Sequence, residues 1–507
     1  MRTETSVDDE YDDKSTEPHV WRYAKATRAS VIVDADDYFR LMQKALCKAR
    51  QRALLIGWDF DTRIHLDFGR RWWDKLRSRE NPSRLGSFIV WLTRHNKNLE
   101  VRILRWGYGV LKFLTRGSMT LDLLRWWPHR RIDFEFDTSH PVGASHHQKI
   151  VIIDDHLAVC GGIDMTTQRW DTREHKEVEP RRKRPRGLKY GPWHDATMMI
   201  EGDAARSLRA LGEERWRRAD GPELKPVERC EDSAWPDELE AQFENVEIGI
   251  ARTRGAFGDV EEVMEIAKLF EKQIAECEHF IYAESQYFAS RRIADALCKR
   301  LSEPNPPEVL IVHPEHADGW LEQQAMDHAR GELVRTLGEV DPANRFNLYV
   351  PFTGETPIYV HAKIMIVDDK ILRIGSANMN NRSLGLDSEC DVFIDARRAG
   401  NEHAAEQIAR VRYSLLAEHC GLDEEAVPGL ISRYGSMSNM IENIGNERSR
   451  TLRRFELEEV NAAQETIAES GLLDPETPDE LFEPFAKGGL FRKGSRLERI
   501  RKRLKGK

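Results

Sequence analysis

No stretch of this chain approaches the roughly 18 consecutive apolar residues of a membrane-spanning helix. The first sixteen residues, MRTETSVDDEYDDKST, lack the apolar core of a secretory signal and read as part of a disordered acidic tail. Cysteine is sparse. The seven present (Cys47, Cys160, Cys230, Cys277, Cys298, Cys390, Cys420) are odd in number and never in a CxxC spacing, which fits reduced thiols better than a disulfide framework or a zinc site. An excess of positive charge is also missing. The net charge is -9, so bulk affinity for nucleic acid has no electrostatic basis. The expectation is a cytoplasmic protein that also takes a peripheral position on the inner face of a membrane.

What is present is ample core and a charged surface: 40% hydrophobic and 32% charged residues. At roughly 150 residues per domain, 507 residues imply about three domains, or two large ones with an appendage. A long-range repeat decides between these. HQKIVIIDD, beginning at His147, returns as HAKIMIVDD at His361. His147 aligns with His361, Lys149 with Lys363, and Asp154 with Asp368. Fourteen residues after each histidine comes a small-residue turn, GGID from Gly161 and GSAN from Gly375, so Asp164 and Asn378 also match. His146 has Val360 as its counterpart, which singles out His147 of the adjacent pair.

KIVIID and KIMIVD are short β-branched runs and predict buried strands. Side chains two positions apart on a strand share a face, so each His lies beside its Lys. An imidazole beside a lysine, backed by a small-residue turn, makes an anion site with a proton-transfer group. Asp154 and Asp368 close their strands and read as structural, fixing a turn by hydrogen bonds. His146, His156, His175 and His194 match no usual metal-ligand spacing and read as structural or exposed.

The duplicated HxKxxxxD, each copy followed by GG or GS, resembles the signature of the phospholipase D superfamily. PWHDATMMIEG from Pro192, IYAESQYF from Ile281 and NRSLGLDSEC from Asn381 extend the resemblance to phospholipase D proper across residues 25–420. Ser285 stands where the family usually has Asn. The resemblance implies an α/β fold of two pseudo-twofold related α/β/α sandwich lobes, each with a mixed sheet, sharing one cleft. The helix-then-strand patterns of LMQKALCKARQRALLIGWDFD and VEEVMEIAKLFEKQIAECEHFIYAESQYF agree. The expected divisions are an acidic tail (1–24), a first lobe (25–220), a linker (221–240), a second lobe (241–420) and a helical C-terminal extension with a basic tail (421–507).

By the same resemblance, His147 is the nucleophile and His361 the general acid, with Lys149 and Lys363 supplying fixed positive charge. Asn378 and Ser376 can donate hydrogen bonds to phosphoryl oxygens. Asp164 and Gly162 occupy the matching places in the first copy, with weaker or backbone-made contacts. A histidine held in one tautomer usually has a carboxylate behind it. The carboxylates beginning the next strands are Asp195 and Glu389, so Asp195 is expected to orient His147 and Glu389 to orient His361. No metal or other cofactor is expected.

The substrate expectation is a glycerophospholipid at a membrane surface, with water or an alcohol as acceptor. Trp72–Trp73, Trp106 and Trp126–Trp127 lie beside arginines, which suits a lipid–water interface or a choline cage, and equally core packing. Residues 490–507 are basic, with Leu490, Leu497, Ile500 and Leu504 on one helical face. RRKRPRGLK, from Arg181, reads as a flexible loop, and 472–485 as a docking segment. The alternatives are a cardiolipin synthase-like phosphatidyltransferase, a nuclease, which the acidic charge disfavours, and a silent lipid-binding scaffold, which the intact motifs disfavour. Oligomeric state is left open.

Overall fold

A computed structural model describes residues 14–67, 81–107, 118–141, 143–185, 187–228, 232–316, 320–445 and 447–456. Most of the acidic tail, the Trp72–Trp73 pair, 472–485 and the basic 490–507 stretch lie outside the described residues. The strands of the first half are β1 (Arg22–Val33), β2 (Arg52–Gly57), β3 (Glu100–Trp106), β4 (Ile132–Asp137), β5 (Ile150–Ile153), β6 (Leu157–Gly161), β7 (Trp193–His194) and β8 (Ala196–Gly202). Those of the second are β9 (Phe243–Arg254), β10 (Val263–Met264), β11 (Phe280–Glu284), β12 (Glu308–Val312), β13 (Phe346–Thr353), β14 (Thr356–Pro357), β15 (Tyr359–Val360), β16 (Ile364–Val367), β17 (Ile371–Gly375), β18 (Glu389–Asp395) and β19 (Arg450–Arg454).

Their pairing displays the duplication. The first half runs β4-β3-β2-β5-β6-β8-β1, parallel from β4 to β2 and antiparallel thereafter. The second runs β13-β12-β11-β16-β17-β18-β9 with the same parallel and antiparallel sense. β1 and β9 pair antiparallel, so the two sheets are mirrored in order about that ladder.

The continuous apolar runs of the repeat are explained by burial on both faces. Along β5, Ile150 and Ile152 enter a core common to both halves, while Val151 and Ile153 enter the outer core of the first. In β16, Ile364 and Ile366 enter the common core, and Met365 and Val367 the outer core of the second. Each such side chain contributes about 1.5–3 kcal/mol. The helices Asp203–Arg218 and Ala405–Cys420 supply the common core, for instance Leu208 and Leu415. The helices Ala35–Lys48 and Leu85–His95 cover the first outer face, and Glu265–Ala275 and Arg291–Leu301 the second.

Two expectations of extent need correction. The tail expected to reach residue 24 stops earlier: Val20 and Trp21 are buried, and Trp21 N donates to Ile250 O at 2.8 Å, which docks the chain before β1 begins at Arg22. The C-terminal extension is helical over Val427–Tyr434 and Met437–Ile444 but then returns as β19, antiparallel to β13, so it completes the second sheet. The 181–189 loop is also anchored. Arg182 is buried and donates to Asp171 Oδ2 at 3.0 Å. Among the described residues no helix is long and apolar enough to cross a membrane.

Candidate active site

Each repeat strand ends in a turn that its own aspartate builds. Asp154 accepts backbone N–H groups from Arg50, Gln51 and Arg52 at 2.7, 2.7 and 2.9 Å. Asp368 accepts those of Glu278, His279 and Phe280 at 2.7, 2.8 and 2.8 Å. Both have positive φ, a conformation that Asp tolerates better than most residues. These bonds tie β5 to β2 and β16 to β11, which fixes the opposite strand ends carrying His147 and His361.

The two histidines meet across the boundary between the halves, with ring centroids 6.5 Å apart. Lys149 Nζ donates to His147 O at 2.7 Å, and Lys363 Nζ donates to His361 O and, at 3.3 Å, to Gln286 Oε1. All four residues are therefore brought together.

The orienting carboxylates are crossed relative to expectation. His147 Nδ1 lies 3.0 Å from Glu389 Oε1, and His361 Nδ1 lies 2.6 Å from Asp195 Oδ2. The cause is a pair of short parallel contacts between the halves. His146 bridges Ser388, and His147 N donates to Ser388 O at 2.9 Å. On the other side β15 pairs with β7, and His361 N donates to His194 O at 2.7 Å. Each motif histidine thus runs alongside the residue preceding the other half's carboxylate.

Two further corrections concern phosphate contacts. The Ser376 hydroxyl donates to Glu389 Oε2, and Ser383 Oγ donates to Glu389 Oε1 at 2.7 Å, so Ser376 braces a carboxylate instead of facing an anion. Asp164 accepts from Trp58 N at 3.0 Å and lies 3.6 Å from Lys149 Nζ, so it positions the lysine and would repel a phosphate. Asn378 is buried in the expected quarter, its Oδ1 without a hydrogen bond.

The glycines make room for carboxylates and their supports. A Cβ on Gly162 would lie 2.1 Å from Asp195 Oδ1, and one on Gly375 would lie 1.9 Å from Asp391 Oδ1. Asp391 in turn accepts from Ser376 N and Ala377 N at 3.0 and 3.1 Å. Gly161 packs as closely on Thr197, the residue opposite it in the β6–β8 ladder.

Electrostatics follow from burial. His147 is held well below the ordinary imidazole value by desolvation, then by Lys149 and Lys363. His361 is lowered by desolvation, then by Lys363 and Arg169. Burial raises Glu389 to about 8 and Asp195 to about 6, and lowers Lys363 to about 7.

Of the walls of the cleft, sequence reasoning reached Trp106 and passed over Trp58 and Tyr359. Trp58 stacks on Trp106 with centroids 5.8 Å apart and meets the His147 ring edge-on at 6.4 Å. On the other side Trp193 stacks on Tyr359 at 4.5 Å and lies 5.2 Å from His361, with Arg169 over its face. Trp58 follows the C-terminal end of β2, the sheet edge where α/β proteins place ligands; that position was the available signal. His146, by contrast, is spent on Ser388 Oγ and Asp137.

A family signature described as cardiolipin synthase, PLD-like domain, matches residues 270–411. The chain is 28% identical over 379 residues to Saccharomyces cerevisiae phospholipase D1, covering 56% of this chain and 22% of that protein. It is 24% identical to Dictyostelium discoideum phospholipase D A, covering 80% and 36% respectively. The chain therefore spans well under half the length of these relatives. The structure of phosphatidylserine synthase from Haemophilus influenzae Rd KW20 superposes with a TM-score of 0.53 at 11% identity, covering 87% of this chain and 91% of that one, a likeness of fold.

Proposed function

We propose that this chain, which belongs to the phospholipase D superfamily, is a phosphodiesterase that hydrolyses glycerophospholipids such as phosphatidylcholine to phosphatidic acid and the headgroup alcohol. One observation carries the reading: two imidazoles face each other across the cleft, each with Nδ1 on a buried carboxylate of the other half, which leaves both Nε2 atoms for substrate.

In the first step His147 Nε2 forms a bond to phosphorus while the bond to the headgroup oxygen breaks, and His361 delivers its Nε2 proton to that oxygen. Water then attacks the phosphohistidine, His361 takes its proton, and the N–P bond breaks to release phosphatidic acid. An alcohol in place of water gives a phosphatidyl alcohol. Lys149 and Lys363 offset charge on the non-bridging oxygens, with Asn378 as an amide donor. The division of labour has an electrostatic basis. Asp195 is the more readily ionised carboxylate at neutral pH and so stabilises imidazolium at His361, the proton donor. Glu389, braced by the Ser376 and Ser383 hydroxyls, accepts the Nδ1 proton of His147 and so leaves the Nε2 lone pair for attack.

The aromatic walls formed by Trp58, Trp106, Trp193 and Tyr359 support a phospholipid with a cationic headgroup at the membrane surface. The same intermediate would serve a phosphatidyltransferase, a reading favoured by the family signature's description. A cytoplasmic protein peripheral to the inner face of a membrane fits this substrate.

Phosphatidylcholine vesicles containing a little primary alcohol test the proposal. The expected outcome is phosphatidic acid plus phosphatidyl alcohol from the wild type and neither from His147→Ala. Phosphatidyl alcohol alone would favour the transferase. Cleavage of single-stranded DNA with no lipid product would replace the reading by a nuclease.

Gly162→Ala is a second test. The added methyl group displaces Asp195, shifting His361 by a fraction of an ångström or more, and kcat is expected to fall about 100-fold. An unchanged kcat would show that Asp195 does not set the position of His361.

A further inference from the structure

Behind the cleft lies a second group of histidines and carboxylates that the phosphoryl chemistry does not use. Asp34 stands between β1 and the helix Ala35–Lys48; His175 lies in the loop after the first motif; His194 is in β7; and Glu418 is in the helix Ala405–Cys420. All four side chains are at most 2% exposed. We propose that Asp34, His175, His194 and Glu418 form a tetrahedral site for a divalent cation of the zinc class.

The geometry is that of a ligand shell. His175 Nε2 lies 3.3 Å from Asp34 Oδ2 and 3.1 Å from Glu418 Oε1, and His194 Nδ1 lies 3.4 Å from Asp34 Oδ1 and 2.8 Å from Glu418 Oε1. Metal–ligand bonds of about 2.0–2.1 Å give tetrahedral edges of roughly 3.3–3.4 Å, close to three of these four separations, and one ligand atom from each residue lies within 4.8 Å of the others. Asp34 Oδ2 and His194 Nδ1 are buried and meet only other members of the group, at ion-pair distances and without a well-formed hydrogen bond. Buried polar atoms are seldom left so, and a cation between the four groups would satisfy both.

The surroundings are those of metal-bound histidines, whose second nitrogen usually donates to a carboxylate. His175 Nδ1 lies 3.0 Å from Asp171 Oδ2, itself held by Arg182 and the Trp193 N–H. His194 Nε2 lies 2.7 Å from Glu284 Oε2, and Glu284 is held by the Tyr282 hydroxyl and His419. Arg173 pairs with the second oxygen of Glu418, and the Asp195 N–H donates to Asp34 Oδ1. The carboxylates of Asp34 and Glu418 match the charge of one divalent ion. Two imidazoles in a four-atom shell favour zinc-class ions over calcium or magnesium, which take more ligands, nearly all of them oxygen. The site would clamp the helix of the second half to three segments of the first. It is one residue from Asp195, so the ion stiffens the support of His361 without touching substrate.

The test is metal content of the full chain, expressed without an affinity tag in zinc-supplemented medium and purified without chelator. The expected result is about one zinc-class ion per chain. Cobalt(II) exchanged into the stripped protein should give the intense visible absorption of tetrahedral coordination. Stripping should lower Tm, and zinc should restore it. Glu418→Gln, which keeps the shape and removes a charge, should lose the stoichiometric ion and the response of Tm to chelator. Should that variant fold poorly, Asp34→Asn takes its place. Folded wild-type protein that carries no stoichiometric metal and gives no cobalt spectrum after dialysis overturns the proposal. So does full metal retention in a folded Glu418→Gln and Asp34→Asn pair.

Discussion

His147→Ala and His361→Ala will each depress turnover of phosphatidylcholine about ten-thousandfold, yet they will differ sharply on a phosphatidyl nitrophenol. Nitrophenolate leaves without a proton, so the first step no longer needs an acid. His361→Ala should then release a burst of nitrophenolate equal to the enzyme present and stop. With no base to activate water, the phosphatidyl group remains on His147, where mass spectrometry of the denatured chain reads it. His147→Ala should give no burst, since no nitrogen at that place can form the N–P bond. The reverse pattern would exchange the two roles, and wild-type rates in both variants would remove the pair from the reaction altogether. The structure supports the assigned order through burial. His147 is the more accessible imidazole, its side chain 14% exposed against 4% for His361. A nucleophile must reach phosphorus, whereas a proton donor gains from a drier place beside Asp195.

What the sequence disclosed was the part of the site that is local in the chain. HxKxxxxD places imidazole, amine and turn-closing carboxylate on one short strand, and a strand's alternation makes their relative directions a matter of counting. The helix-then-strand order was legible for the same reason. Ala35–Lys48 followed by Arg52–Gly57, and Glu265–Ala275 followed by Phe280–Glu284, are each contained in one run of about twenty residues. The crossed carboxylates were not legible. His147 and Glu389 are separated by 242 positions, and their meeting depends on the parallel register of 145–147 against 387–389, a contact between loops that no periodicity encodes. Ser376 misled for a similar reason: a hydroxyl beside an anion site and a hydroxyl bracing a carboxylate have the same sequence. The group of Asp34, His175, His194 and Glu418 is assembled from four distant segments, so its ligand spacing exists only in three dimensions.

The crossed wiring makes a prediction that the uncrossed arrangement reverses. Glu389→Gln sets an amide N–H against His147 Nδ1 and leaves the Ser376 carbonyl, at 3.0 Å, as the acceptor for its proton, which favours the tautomer protonated on Nε2 and removes the attacking lone pair. A wrong tautomer of this kind costs about ten-thousandfold in serine proteases. Glu389→Gln should therefore abolish the nitrophenolate burst, as His147→Ala does. Asp195→Asn acts on His361 by the same chemistry, leaving a neutral ring that donates poorly and cannot take the proton of water. Its first step with phosphatidyl nitrophenol should survive within about tenfold of wild type, and its second step should stall with the phosphatidyl group on His147. If each carboxylate instead served the histidine of its own repeat, Asp195→Asn would lose the burst and Glu389→Gln would keep it. One substrate and two conservative substitutions thus separate the arrangements. The separation holds because Ser376 and Ser383 on Glu389, and the Ala196 N–H on Asp195 at 2.8 Å, hold either side chain in place after the exchange.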